Sequence, residues 1–269
     1  MSKYCNFTIN AMSKLFSTYR AIKYQNGKLF EVNDQVTTEK ALQISINDIH
    51  FAVVMQTPGD EINLVTGLLF SEDVIDDKTK ISFETKISDD KLIQEVNCLI
   101  NSNEIGDGYK NSRSLLSVSS CGICGKKDLE DLKLNGEKLT QLLLDSSFIF
   151  GLKKQMQINQ PVFPITGSTH GAALFNKKGS LLGLKEDIGR HNALDKSIGE
   201  LLIKGKLKEA KILFFSGRLS FEIIFKCFRA KISTIIAISA PSSLAIDFAK
   251  EFGITLYGFC RDDRYTRYA

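Results

Sequence analysis

Residues 212–260 read ILFFSGRLSFEIIFKCFRAKISTIIAISAPSSLAIDFAKEFGITLYGFC, and their pattern decides the fold. Ile212 to Phe215 is a short apolar run that ends in Ser216-Gly217-Arg218. Phe221, Ile224, Phe225 and Phe228 follow at helical spacing, as the buried face of an amphipathic helix. Ile232 to Ser239 is a second buried strand, closed by Ala240-Pro241-Ser242. A further helix is expected from about Ser243 to Phe252, with Gly253 as its stop, and then a third strand from Ile254 to Cys260. Strand and helix alternate with short connections, which implies right-handed crossovers on a parallel sheet.

Upstream, the pattern is more mixed. ALQISINDIHFAVVM (41–55) alternates apolar and polar residues around the turn-forming Asn47-Asp48, a hairpin signal. Thr57-Pro58-Gly59-Asp60 then breaks the strand, and Asp60 or Thr57 is the expected cap of a helix with Leu64, Gly67, Leu68 and Leu69 on its inner face. Residues 77–113 read as short strands and loops. Leu139, Leu142 and Leu143 predict a helix from about Asn135. The small-residue segment SVSSCGICGKK (117–127) marks a boundary. The division is an α+β domain over 1–118, a mobile CxxC loop over 119–127 and a larger α/β domain over 128–269.

The chain has 269 residues, 43% of them hydrophobic and 25% charged, so it is long enough to bury a core without disulfides and too apolar for a disordered chain. A net charge of +4 allows a local anion site but gives no argument for nucleic acid. The first thirty residues are interrupted by polar side chains too often for a secretory or spanning segment. The expectation is a soluble, cytoplasmic protein whose six cysteines are reduced.

Four constellations carry chemistry. In Cys121-Gly122-Ile123-Cys124-Gly125-Lys126-Lys127, two thiols share an open loop, and the lysines favour thiolate. A zinc site needs four ligands, and one CxxC supplies two. Ordinary loop thiols are the plainer alternative. TGSTHGAAL (166–174) surrounds His170 with small residues. It differs from the H-x-E of zinc deaminases because Ala172 stands where the proton-shuttling glutamate would be, which disfavours deaminase chemistry but not a deaminase-like fold. EDIGRHNALDK (186–196) brings Arg190 and His191 to a helix start, with Leu194, Ile198, Leu201 and Leu202 facing inward. That start is either an anion site or a capped, solvated entry with an internal Arg–carboxylate pair. Finally, the carboxyl ends of the three strands carry Ser216-Gly217-Arg218, Ala240-Pro241-Ser242 and Phe259-Cys260-Arg261. Ligands of open parallel sheets bind beyond such ends. Arg218, Arg261 and Arg264 suit phosphate there, and Phe259 or Tyr265 suits stacking on a base or pterin-like ring.

These segments, with MQTPGDEINLVTGLLFSEDVI, SGRLSFEII, SAPSSLAIDFA and GFCRDDRYTRY, resemble the FdhD/NarQ family of formate dehydrogenase accessory sulfurtransferases from about residue 37 onward. The resemblance implies a C-terminal three-layer α/β domain like cytidine deaminase. It also implies a sulfur carrier that takes persulfide sulfur from a cysteine desulfurase. The sulfur passes to the bis-molybdopterin guanine dinucleotide molybdenum cofactor, bound as substrate, before insertion into formate dehydrogenase. By position, Cys121 is the persulfide cysteine and Cys124 its partner. Phe259, Cys260, Arg261, Asp262, Asp263 and Arg264 match the cofactor-binding stretch, where a guanine nucleotide would also fit. Ser216, Gly217, Arg218, His170, Arg190 and His191 complete the expected cofactor site. Ser168 stands where the family commonly has a second glycine. A homodimer is expected, with neither nucleic acid nor membrane as partner. A thiol–disulfide oxidoreductase and a non-enzymatic cofactor chaperone are the rival classes.

Overall fold

A computed structural model describes residues 14–109 and 137–269; the CxxC loop, with Cys121 and Cys124, and the boundary expected over 117–127 lie outside the described residues. The described residues form a mixed α/β fold. Six strands make the larger sheet: β7 (His170–Phe175), β8 (Leu181–Asp187), β9 (Ile212–Phe215), β10 (Thr234–Ala237), β11 (Thr255–Arg261) and β12 (Arg264–Arg267). Their spatial order is β12-β11-β10-β9-β7-β8. As the sequence predicts, β9, β10 and β11 run parallel, with Thr234 between Ile212 and Thr255. The flanking strands are antiparallel, because β7–β8 and β11–β12 are hairpins whose connections are too short for a crossover.

Alternation along β9 explains its continuous apolar run. Leu213 and Phe215 face the helices α4 (Arg190–Ile203), α5 (Phe221–Arg229) and α6 (Ser243–Phe252), whereas Ile212 and Phe214 face α2 (Ser146–Asn159). Both faces of the sheet are therefore covered, and the strand has no polar side. Residues 137–145 are not helical, contrary to the leucine spacing. They run as an irregular strap held by other elements: Leu139 N–H donates to Phe252 O (2.8 Å), the Thr234 hydroxyl donates to Leu142 O (3.1 Å), and Leu144 N–H donates to the Tyr257 hydroxyl (3.3 Å). The helix starts only at Ser146, where Asp145 accepts from Phe148 N–H at 2.7 Å.

The smaller sheet, ordered β4-β3-β6-β5, holds β3 (Lys40–Ile46), β4 (Ile49–Gln56), β5 (Ile81–Ile87) and β6 (Ile93–Ile100). Asn47 and Asp48 both adopt positive φ (49° and 65°), as a two-residue β3–β4 turn requires. Leu42, Ile44, Ile46, Val96 and Cys98 bury one face of this sheet in the same hydrophobic cluster as Leu213 and Phe215. Between the sheets, α1 (Glu61–Ser71) crosses α4 at unusually short range. A Cβ on Gly67 would lie 1.9 Å from Asp195 O, and one on Gly199 would lie 1.9 Å from Asn63 O. Only glycine lets these two backbones touch. A separate two-stranded ribbon, β1 (Phe16–Gln25) and β2 (Lys28–Thr37), stands on this body with Tyr19, Ile22, Tyr24 and Leu29 exposed. No helix among the described residues is long and apolar enough to cross a membrane.

Gly199→Ala forces backbone apart from backbone and is expected to destabilise by at least about 2 kcal/mol in urea unfolding. Gly151→Ala, inside α2 with nothing within 4 Å of the added methyl, is expected to stabilise by about 0.5–1 kcal/mol. Equal effects at the two positions would contradict the close helix contact.

Candidate functional site

One edge of the large sheet gathers most of the residues singled out above. Antiparallel pairing places the start of β7 beside the ends of β8 and β9: His170 pairs with Asp187, Ala172 with Phe215, and Ser216 N–H donates to Gly171 O at 3.1 Å. The ends of β10 and β11 follow on the same edge because both run parallel to β9. The loops after β9 and β10 are zipped together. Leu219 N–H donates to Ala240 O (3.0 Å) and Ser242 N–H to Leu219 O (2.9 Å).

Within the EDIGRHNALDK segment, the acidic residues serve as scaffold. Glu186 accepts from Gln160, Val162 N–H, Phe163 N–H and the Thr169 hydroxyl at 2.7–3.0 Å, so it ties the one-turn helix α3 (Phe163–Thr166) and the loop before His170 to β8. Asp187 is wholly buried and receives Lys196 Nζ (2.6 Å), Thr57 N–H (3.0 Å), Gly189 N–H (2.7 Å) and Asn192 Nδ2 (3.0 Å). Its ion-pair partner is thus Lys196, and the internal Arg–carboxylate pair considered for this segment is replaced by a Lys–carboxylate pair. Thr57 is not a helix cap. Its hydroxyl accepts from Ile188 N–H (3.0 Å), which splices the end of β4 onto this loop, and Asp60 occupies the N-cap position of α1.

Arg190 and His191 are left to the site, at the first turn of α4. Arg190 packs over the β9 loop, where a Cβ on Gly217 would lie 3.2 Å from Arg190 Cβ. His170 is half-buried, with Ser216 Oγ 3.4 Å from its Nδ1, and Ser216 Oγ accepts from Gly171 N–H at 2.9 Å. Burial, then the charges of Arg190 and Arg218, lower the His170 pKa, against an opposing pull from Asp187. His191 is 5% exposed. Burial first, then Lys226, Arg190 and His170, bring its pKa down to about 3, so the ring is neutral at physiological pH. Lys226 is itself paired with buried Asp195 at 2.7 Å.

At the other end of the edge, the β11–β12 hairpin carries Phe259 to Arg264. Phe259 is exposed at positive φ (53°) within a register shift between Gly258 and Arg261, and its N–H donates to Ser239 O at 3.1 Å. Arg261 Nε donates to Ile238 O at 3.1 Å, while Arg261, Asp262, Asp263 and Arg264 are exposed. Cys260 turns into the core beside Tyr257 and Phe214, and burial raises its pKa. Three strand spacings, about 14 Å, separate β11 from β7. Tyr265 is tied to this wall through Ser146 Oγ at 3.0 Å and stands edge-on to Tyr257. Ser220 stands at the N-cap of α5, with no side-chain bond to that helix.

Because His191 binds its proton far more weakly when folded than its ordinary value of 6.5, protonation favours the unfolded chain between that value and about 3. Stability therefore falls as pH drops through this window. Wild type is expected to lose about 2 kcal/mol more than His191→Gln between pH 7.5 and 5 in urea unfolding. Parallel losses in the two proteins would remove the assignment of a neutral buried ring.

The comparisons with known proteins agree with this architecture. The chain is 39% identical over 245 residues to the sulfur carrier protein FdhD of Picrophilus torridus, covering 88% of this chain and 91% of that protein. It is 36% identical to the sulfur carrier protein FdhD of Sulfolobus acidocaldarius, covering 91% and 93%. A crystal structure from Desulfotalea psychrophila, described as a candidate formate dehydrogenase accessory protein, superposes with a TM-score of 0.75 at 25% identity, over 94% of this chain and 97% of that one. The FdhD/NarQ family model matches residues 37–269, and the chain belongs to that family.

Proposed function

We propose that this protein is a sulfur carrier for formate dehydrogenase, working as a persulfide sulfurtransferase on a guanine-dinucleotide molybdenum cofactor. The observation that carries the reading is the convergence of His170, Ser216–Arg218, the start of α4 and the Phe259–Arg264 hairpin on one sheet edge of an FdhD/NarQ chain. Guanidinium groups and helix starts favour phosphates, and the exposed Phe259 ring offers a face for a base. A deaminase-derived fold would account for a histidine at this strand start without the glutamate two residues on.

The sulfur step falls to Cys121 in this reading. Burial raises the pKa of Cys98 to about 12 and raises those of Cys227 and Cys260, so the described cysteines are poor nucleophiles. Cys121 thiolate attacks the terminal sulfur of a cysteine desulfurase persulfide, and the desulfurase cysteine leaves as thiolate. With the cofactor held as substrate at the sheet edge, Cys124 thiolate attacks Cys121 Sγ. A disulfide forms, and the terminal sulfur leaves as hydrosulfide with the electron pair of the broken S–S bond. The residues at the edge hold phosphates and orient the ligand; they do not themselves carry sulfur. The expected setting is cytoplasmic and the expected assembly a homodimer.

Incubation with a cysteine desulfurase and cysteine is expected to add one reducible sulfur to the peptide containing Cys121, read by mass spectrometry. Cys121→Ala is expected to abolish support of formate dehydrogenase while guanine nucleotide still binds. Full restoration of the client enzyme by Cys121→Ala would overturn the carrier reading in favour of a cofactor chaperone.

A further inference from the structure

The end of the large sheet opposite the cofactor edge carries the charge surplus of the chain. Three connections meet there: the β7–β8 turn (176–179), the segment from the end of α4 to the start of β9 (204–211), and the segment between α5 and β10 (229–233). Together they hold eight Lys and Arg residues and one acid, Glu209. Lys204, Lys208 and Arg229 pair with Glu200, Asp77 and Asp73, each at 2.8 Å. Lys177, Lys178, Lys206, Lys211 and Lys231 have no ion pair among the described residues. The excess of these five lysines over Glu209 equals the formal net charge of the whole chain, +4, so the remainder is formally neutral.

Backbone bonds draw the three connections together. Lys211 N–H donates to Phe175 O at 2.9 Å, one residue before the β7–β8 turn, and Lys211 O accepts from Ser233 N–H and Thr234 N–H at 3.1 Å. The strand order β7-β9-β10 therefore spreads these cations over two strand spacings, about 10 Å. That is close to the screening length of about 8 Å at physiological salt, so they act as one group. The turn that displays Lys177 and Lys178 is preset: Asn176 Oδ1 accepts from Lys178 N–H (2.9 Å) and Ser180 N–H (3.0 Å), and a Cβ on Gly179 would lie 2.8 Å from the Phe148 ring. Helix ends favour cations, which accounts for Lys206 and Lys231, just past α4 and α5. Lys177, Lys178 and Lys211 stand on strand ends instead, and gathering like charges there is repulsive.

Ile203, the last residue of α4, is 54% exposed beside Lys204. An apolar side chain among cations has the make-up of a protein interface, with an apolar centre and a charged rim. The unpaired cations are all lysine, without the guanidinium fork that suits phosphate, and none of the three connections holds an aromatic residue on which a base could stack. We propose that this end of the large sheet is a docking surface for the acidic face of a partner protein, steered in by the five lysines and seating an apolar side chain against Ile203. The length of β7, about 17 Å over five residue steps, separates it from His170, so a partner docked here leaves the cofactor edge open. The surface goes beyond the sulfur-carrier reading and does not depend on it.

Fluorescence anisotropy of the full chain with a labelled polyglutamate peptide carrying one central leucine tests this. Lys177→Glu with Lys211→Glu is expected to weaken peptide binding by about tenfold or more, whereas Lys23→Glu with Lys28→Glu, an equal change of charge at the tip of the β1–β2 ribbon, leaves it within about twofold. Ile203→Ser is expected to weaken this peptide by about threefold or more and to leave unchanged the binding of the same peptide with alanine for leucine. Equal weakening by the two charge reversals, in proteins that keep the wild-type unfolding midpoint, would overturn the surface, since net charge alone would then account for the binding. A single-stranded oligonucleotide of the same charge that binds more tightly than the peptide, and loses that binding with Lys177 and Lys211 reversed, would overturn the assignment to a protein partner.

Discussion

Asp187 is a carboxylate with no exposed surface, and four hydrogen-bond donors meet on it. Lys196 reaches it from within α4, Thr57 N–H from the end of β4, Gly189 N–H from the loop that launches α4, and Asn192 Nδ2 from the first turn of that helix. Lys196 in turn donates to Thr57 O, and Asn192 Nδ2 also reaches Met55 O. A buried ion pair of this kind gives no guarantee of stability over an apolar replacement, but removing one partner costs about 3–5 kcal/mol because the other is left charged in the interior. Its contribution here is geometric. It sets where the end of the small sheet sits against the large one, and thereby fixes where the first turn of α4, with Arg190 and His191, stands at the end of the large sheet.

The close helix crossing makes that arrangement rigid. Gly67 and Gly199 allow α1 and α4 to touch backbone to backbone, so α4 cannot slide without breaking the core that both sheets share. Asp195 extends the same logic one turn along, where it accepts from Ser71 of α1 (2.8 Å) and Lys226 of α5 (2.7 Å). Three helices are thus pinned by two buried lysine–aspartate pairs, and the helix starts at the sheet edge inherit fixed positions. The cost of desolvating His191 is met in the same framework, since a ring kept neutral by burial needs surroundings that do not relax around a proton.

The three parallel strands and their helices were legible in the sequence because apolar period, glycine stops and loop chemistry all agree there. Gly253 ends α6 in the left-handed conformation, as its position after Phe252 implies. The helix expected from about Asn135 is absent over 137–145 because leucine spacing cannot distinguish a helix face from a strap, which here packs Leu139 and Leu142 against different clusters and leaves Leu143 exposed; Asp145, the true cap, was the better signal. The β1–β2 ribbon went unread although Asn26-Gly27, both at positive φ, form its turn, since its apolar residues fall on both faces and give no inward set. At the site, the sequence named Arg190, His191 and the hairpin but could not apportion EDIGRHNALDK. Which acidic residue is scaffold depends on Thr57 and Lys226, 130 positions back along the chain from Asp187 and 31 forward from Asp195.

The hairpin at the far end shows how local strain can serve the same edge. Phe259 holds a left-handed backbone that a bulky side chain adopts only at a cost of about 1–3 kcal/mol. The register shift between Gly258 and Arg261 imposes it, and bonds from Phe259 N–H to Ser239 O and from Arg261 Nε to Ile238 O fasten both sides of the bulge to the end of β10. Gly258 is confined as well, since a Cβ there would lie 2.9 Å from the Pro241 ring. The outcome is a Cys260 side chain driven into the core and a Phe259 ring 40% exposed at the sheet edge, in a strand whose preceding residues Thr255 to Tyr257 are all buried. A regular strand would exchange the positions of these two side chains. The bulge therefore decides which of them meets the solvent, and it places an aromatic face and an arginine on the same edge as the starts of α4 and α5.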